Sequence, residues 1–291
     1  MEPAIPSTSE AQLVDCGEGR RLDRLRARLV DRPAPAAEVI TRARPELWSN
    51  AVARFERRPG APGAWLGTDV PREPWTVAME QLRFELRLTG TGQVGLFLEQ
   101  VPMWRWIRAR VSEAGRPLEV LNLFAHTGGS TLAAASAGAS VVHVDGSRSV
   151  VAWARRNAEL SNLSAAPVRW IVDDVQAFIR RELRRGHGYD AVILDPPSFG
   201  HGPKREQWRL EEQLPDLLAS VGALTRGRRS FVLLTTHTPG FDGDRLAQEL
   251  DKAIPIEERQ LGSIDSGDLE LLAESGARLH SGSHARWIAR P

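Results

Sequence analysis

The chain has 291 residues, 42% hydrophobic and 26% charged, a balance that excludes disorder throughout and suffices for one large domain or two modest ones. Lys and Arg total 38 against 37 Asp and Glu, a net charge of +1, so any nucleic-acid site must be a local patch rather than a global basic field. The single cysteine, Cys16, excludes an intramolecular disulfide and the usual four-ligand zinc sites.

The basic residues are arginine except for Lys204 and Lys252, a bias that suits phosphate and base recognition and that a GC-rich genome produces equally well. The N-terminal MEPAIPSTSE lacks a basic region followed by an apolar core, and no apolar run approaches the roughly 20 residues that span a bilayer. A cytoplasmic protein with no membrane role is expected.

Composition changes near residue 112, which predicts two domains: residues 1–112, an N-terminal extension and small β-rich accessory domain, and residues 113–291. Residues 1–10 read as a tail. AQLVDCGEGRRLDRL and RARLVDRPAPAA read as short strands around a Gly turn. In QLRFELRLTGTGQVGLFLEQ, Leu82, Phe84, Leu86 and Leu88 alternate with Arg83, Glu85 and Arg87, and TGTG turns the chain into a second strand. Such a hairpin is either a structural brace or a surface that presents Arg83 and Arg87 to a polyanion.

From Leu118 onward strand-length apolar runs alternate with helical segments: LEVLNLF, STLAAASAGA, SVVHVD, SVVAWARRNAEL, VRWIVD, VQAFIRRELRR, YDAVILD, EEQLPDLLASVGAL, SFVLLTT and DRLAQELDKA. Parallel strands covered on both faces follow, hence a doubly wound α/β sheet. DLELLAESG and SHARWIARP depart from that rhythm and predict an antiparallel hairpin at one edge.

In such a sheet ligands lie beyond the carboxyl ends of the strands. After the first strand, Gly128 and Gly129 permit close backbone approach, and the helix that follows offers unpaired N–H groups. Asp145 ends the second strand, as an acceptor for ribose hydroxyls or as a cap for the next helix. Asp173 and Asp174 end the third, where a carboxylate can accept from an exocyclic amine or cap a helix. The fourth ends in Asp195-Pro196-Pro197-Ser198-Phe199. Two prolines remove N–H donors and leave carbonyls free, so an acid, rigid acceptors and an aromatic form a site for a planar amine-bearing ring.

Asn122-Leu123-Phe124-Ala125-His126-Thr127-Gly128-Gly129, Asp145, Asp174 and Asp195-Pro196-Pro197-Ser198-Phe199 together resemble the class I S-adenosylmethionine-dependent methyltransferases. They are most similar to the bacterial large-subunit ribosomal RNA base methyltransferases. The resemblance covers residues 80–291, because Val94-Gly95-Leu96-Phe97-Leu98-Glu99-Gln100 is similar to that family's lead-in. It implies a Rossmann-like methyltransferase fold and S-adenosylmethionine as cofactor. By the same resemblance Phe124, Ala125, His126, Thr127, Gly128 and Gly129 surround the methionine part, Asp145 holds the ribose, Asp174 meets the adenine amine, and Gln100 joins the cofactor set. Asp195, Pro196, Pro197 and Phe199 then address the target base. No G-x-G-x-x-G follows the first strand, which weighs against a dinucleotide.

Two departures from the family matter. Phe124 and His126 stand at two glycine positions of the commoner class I loop. Relatives that methylate cytosine carbon 5 carry a cysteine after a C-terminal strand, where this chain has Thr235-Thr236-His237-Thr238. A nitrogen acceptor is therefore the better expectation. His126, His201 and His237 are candidate proton acceptors, and residues 200–205 read as a basic lid or a solvated linker. Trp153, Trp170 and Trp287 read as core, Trp104 and Trp106 as a seal on the cofactor pocket, and Arg155 and Arg156 as a solvated face.

The expected activity is transfer of a methyl group to a base of structured RNA, with 23S ribosomal RNA as partner. A protein or small-molecule acceptor on the same fold, and an RNA-binding module with a vestigial cofactor site, are the alternatives.

Overall fold

Alternation of apolar and charged residues builds five short strands at the start of the chain: β1 (Ala11–Gly17), β2 (Arg20–Leu25), β3 (Arg28–Pro33), β4 (Ala53–Arg58) and β5 (Ala61–Leu66). A computed structural model describes residues 9–58, 60–201 and 207–290 of the protein. These five strands form one sheet in sequence order, and the short helix α1 (Pro45–Trp48) lies between β3 and β4. Arg21 and Arg32 of this sheet are structural. Asp23, wholly buried, accepts from Arg21 on Oδ1 at 2.8 and 3.0 Å and from Arg32 on Oδ2 at 2.6 and 2.9 Å. Burial pushes the Asp23 carboxyl up, but the two guanidiniums outweigh it and hold it below the usual range. Removing one partner would leave a buried charge uncompensated.

β6 (Trp75–Met79) and β7 (Leu82–Leu86) make a separate hairpin. Leu82, Phe84 and Leu86 are buried and Arg83 is exposed, as alternation predicts. The predicted strand partner is corrected, however. Residues 87–94 do fold back, with Arg87 N donating to Val94 O and Thr89 N to Gln93 O, but no strand follows, and β7 pairs with the preceding β6. Arg87 is held by Glu85 beside it.

The described residues divide into two compact units. The first takes the chain up to Val101 together with Glu159–Ser161 and Glu270–Ser281; the second takes Pro102–Ala158, Asn162–Leu269 and residues 282 onward. Residues 102–112, expected with the first part, thus lie in the second unit, while residues 270–281 lie in the first. There Glu274 N donates to Leu13 O, and Ala273 and Leu279 pack against Leu13 and Cys16.

The second unit opens with α2 (Val101–Glu113) and continues β8 (Glu119–Leu123), α3 (Gly129–Ser136), β9 (Ser140–Asp145), α4 (Arg148–Leu160), β10 (Val168–Val172), α5 (Val175–Arg185) and β11 (Ala191–Leu194). A two-stranded piece, β12 (Phe199–His201) and β13 (Gln207–Arg209), precedes α6 (Leu210–Leu224), β14 (Phe231–Thr236) and α7 (Gly243–Ala253). β15 (Gly262–Leu272) and β16 (Arg278–Ala289) end the fold. The seven-stranded sheet runs β10-β9-β8-β11-β14-β16-β15, parallel from β10 to β14 and antiparallel between β14 and β16. This is the doubly wound, Rossmann-like sheet with an added C-terminal hairpin. β11 and the Phe231–Leu234 part of β14 are buried throughout because both faces are covered. On one face Leu121, Leu194 and Leu234 meet Phe178 of α5, Leu217 of α6 and Leu246 of α7.

The strand order reverses between β8 and β11, which places the crevice at their carboxyl ends. Among the described residues no helix is long and apolar enough to cross a membrane.

Candidate active site

β8 delivers the loop of residues 124–129 to this crevice. Phe124, His126 and Gly128 have φ of 54°, 46° and 88°, so alternate residues take the left-handed conformation that costs an L residue roughly 1–2 kcal/mol. The two positions where glycine is missing from the sequence therefore have glycine-like backbone. Neighbours hold them there: Ala125 N donates to Val144 O at 3.1 Å, His126 N to Asp145 Oδ2 at 3.0 Å and Gly128 N to Ala125 O at 3.0 Å. Gly128 is the N-cap of α3 and supplies no side chain to its first turn, which leaves that end suited to an anionic group. A Cβ on Gly129 would come within 2.2 Å of the Trp104 ring. Trp104 is accordingly buried under the start of α3, whereas Trp106 packs on Phe231 at 5.1 Å between ring centres.

Asp145, at the end of β9, accepts from two backbone groups: His126 N on Oδ2 and Ser147 N, at 2.9 Å, on Oδ1. Beneath it a buried chain joins β8, α3 and β9. Asn122 Nδ2 donates to Thr131 Oγ1 at 2.8 Å, and that hydroxyl lies 2.9 Å from His143 Nδ1. The hydroxyl accepts from Asn122 on one lone pair and keeps a proton and a second lone pair for His143 Nδ1. Burial, then the charges of His126 and Arg155, push the His143 pKa down to about 3, so the ring is neutral. Asn157 Nδ2 ties α4 to the loop through Thr127 O at 2.9 Å.

Asp174 caps α5 through Oδ1, which accepts from Ala177 N at 2.8 Å, and Asp173 pairs with Arg181. At the end of β11, Asp195 Oδ2 lies 3.5 Å from His237 Nε2, which follows β14. Burial pushes the Asp195 carboxyl up, but the charge and hydrogen bond of His237, with Thr235 and His126, outweigh it and hold the carboxyl below the usual range. His126 moves downward, because burial exceeds the attraction of Asp145 and Asp195. Phe199 is 73% exposed.

One expectation for this segment is corrected: the Pro197 carbonyl is not free. It accepts the indole N–H of Trp208 at 2.6 Å, and the Trp208 ring packs on Phe124 at 5.1 Å. Trp208 reaches Pro197 only because β13 pairs with β12. The sequence signal available was an aromatic residue two positions before the apolar helix α6. Ser198 Oγ meets Thr238 Oγ1 at 2.7 Å.

Phe124, Ala125, His126, Thr127, Gly128, Gly129, Asp145, Asp174, Asp195, Pro196, Pro197 and Phe199 all fall in the second unit, at the carboxyl ends of β8, β9, β10 and β11 or in the segments that follow them. Gln100, in the turn Leu98–Gln100, falls in the first. Residues 202–205 of the expected lid lie outside the described residues. Trp153 and Trp287 are core, Trp170 is half-buried against His143, and Arg155 and Arg156 are exposed.

An uncapped helix N-terminus, a tightly turned loop and a carboxylate at the next strand end are the donor and acceptor set that a zwitterionic nucleoside cofactor requires. Residues 19–236 match the family described as S-adenosylmethionine-dependent methyltransferase. The ribosomal RNA large subunit methyltransferase K/L of Shewanella sp. (strain MR-4) is 36% identical over 126 residues, 43% of this chain and 17% of that protein. The ribosomal RNA large subunit methyltransferase K of Neisseria meningitidis serogroup B is 33% identical over 162 residues, 52% of this chain and 45% of that protein. The chain thus spans less than half the length of either. The solved structure of a SAM-dependent methyltransferase from Agrobacterium tumefaciens is 32% identical and superposes with a TM-score of 0.90, covering 100% of this chain and 95% of that one. The chain belongs to the S-adenosylmethionine-dependent methyltransferase family, and S-adenosylmethionine is its cofactor.

Proposed function

We propose that the chain transfers a methyl group from S-adenosylmethionine to a base nitrogen of structured RNA, specifically large-subunit ribosomal RNA. The observation that carries this reading is the segment 195–199, where the half-buried Asp195 carboxylate and a 73% exposed Phe199 ring stand together at the crevice. A flipped base supplies a planar face for that ring to stack on. Both ribosomal RNA methyltransferases matched above support the choice of RNA.

The bound cofactor supplies a sulfonium methyl group open to attack by a lone pair. Residues 124–129 surround its methionine part, with the first turn of α3 facing the carboxylate. Asp145 accepts from the ribose hydroxyls on the lone pairs its two backbone donors leave. Asp174, with Oδ1 used as a cap, offers Oδ2 to the adenine amine. Asp195 and the Pro196 carbonyl accept from the N–H groups of the target base, and Phe199 stacks on it. Rate comes from alignment of nitrogen with methyl carbon. A carbon acceptor would need a thiolate, and Cys16 is wholly buried in the first unit. Exposed Arg57, Arg58 and Arg83 of that unit are the docking groups for phosphate.

The test is incorporation of labelled methyl from S-adenosylmethionine into ribosomal RNA taken from cells that lack the gene. Label in one nucleoside is expected; label in protein, in small molecules or nowhere would overturn the reading.

A further inference from the structure

The loop that opens with Phe124 and the segment that carries Pro197 leave adjacent strands, β8 and β11, at the point where the strand order reverses. One side chain touches both. The Trp208 ring lies 5.1 Å from that of Phe124 with 52° between planes, and its indole N–H donates to Pro197 O at 2.6 Å. Trp208 is only 8% exposed, so this bond is shielded from water and from competing donors. Pro196 and Pro197 have no N–H to donate, so their segment is anchored through acceptors: Pro197 O takes Trp208, and Ser198 O takes Leu210 N at 3.1 Å. Phe124 meanwhile occupies a left-handed conformation that its packing must hold.

We propose that Trp208 is a positioning residue that couples the two loops, so that filling the cofactor loop stiffens the segment that meets the acceptor. This rests on the reading that residues 124–129 hold the cofactor and residues 195–199 face the acceptor base. The coupling is reciprocal: an occupied acceptor segment raises cofactor affinity by the same factor. It gives the enzyme a reason to form the base site only when a methyl donor is present.

The experiment is hydrogen–deuterium exchange of the full chain with and without S-adenosylhomocysteine, joined to calorimetry of its binding. In wild type the ligand slows exchange at least tenfold over residues 125–131 and also over residues 198–200. Trp208→Phe keeps a ring against Phe124 and removes the donor. Its affinity stays within threefold of wild type, protection of residues 125–131 remains, and protection of residues 198–200 is lost. Trp208→Ala removes ring and donor together, and affinity falls about tenfold. Wild-type protection confined to residues 125–131, or protection of residues 198–200 that survives in Trp208→Phe, would overturn the coupling alone. A wild type that binds no S-adenosylhomocysteine would overturn the coupling and the cofactor-loop reading together.

Discussion

His237 Nε2 stands 3.5 Å from Asp195 Oδ2, a contact that joins the ends of β14 and β11 at the mouth of the crevice. The carboxylate is held below its usual pKa range by that neighbour against the pull of burial, so it is an ionised acceptor at neutral pH. Asp195→Asn leaves size and packing in place and replaces one acceptor by a donor. Methyl transfer falls about a hundredfold or more, while S-adenosylhomocysteine affinity stays within threefold. Equal losses of transfer and affinity would contradict the assignment of Asp195 to the acceptor.

Asp145 behaves in the opposite way. Its two oxygens accept from His126 N and Ser147 N, so Asp145→Ala strips a partner from both amides and removes the ribose acceptor. Stability falls by about 1–3 kcal/mol, and S-adenosylhomocysteine affinity falls at least tenfold. Calorimetry and urea unfolding on the same preparation separate the two effects.

The left-handed backbone at residue 126 has its own test. His126→Gly removes the steric cost of φ 46°, whereas His126→Val places a β-branched side chain where that conformation is a severe outlier. The Val variant is less stable than the Gly variant by about 1–2 kcal/mol and loses more cofactor affinity. Equal stabilities would mean that the loop does not hold this conformation in solution.

His143 makes stability depend on pH. Its pKa is pushed down to about 3 in the folded chain from 6.5, so the folded state binds fewer protons than the unfolded state below pH 6.5. The contribution is complete above pH 6.5 and is lost progressively as pH falls toward 3. Over that window wild type loses about 1.4 kcal/mol per pH unit relative to His143→Gln, which cannot titrate there. Urea unfolding at pH 5, 6, 7 and 8 checks this: parallel curves for the two proteins would contradict it.

Much of the second unit was legible because its strands are short apolar runs and each is followed by an amphipathic helix. The strand-end carboxylates Asp145, Asp174 and Asp195 fell where that alternation put them. What the sequence hid was tertiary. The turn after Leu88 looked like half of a hairpin, yet β7 finds its partner in β6, a choice set by packing rather than by turn chemistry. Phe124 and His126 looked like departures from a glycine loop, and only the contacts with Val144, Asp145 and Trp208 show how non-glycine residues keep its shape. Trp208 itself carried no motif, because its bond to Pro197 depends on the β12–β13 pairing. Arg21 and Arg32, part of the arginine-rich first half, proved to be ligands of the buried Asp23.

The central claim is transfer to a base of ribosomal RNA, and its most direct measurement is mass spectrometry of ribosomal RNA nucleosides from cells with and without the gene. The account predicts one base-methylated nucleoside that is absent only without the gene, restored by the wild-type chain and not by Asp195→Ala. Identical nucleoside profiles in the two strains would contradict it.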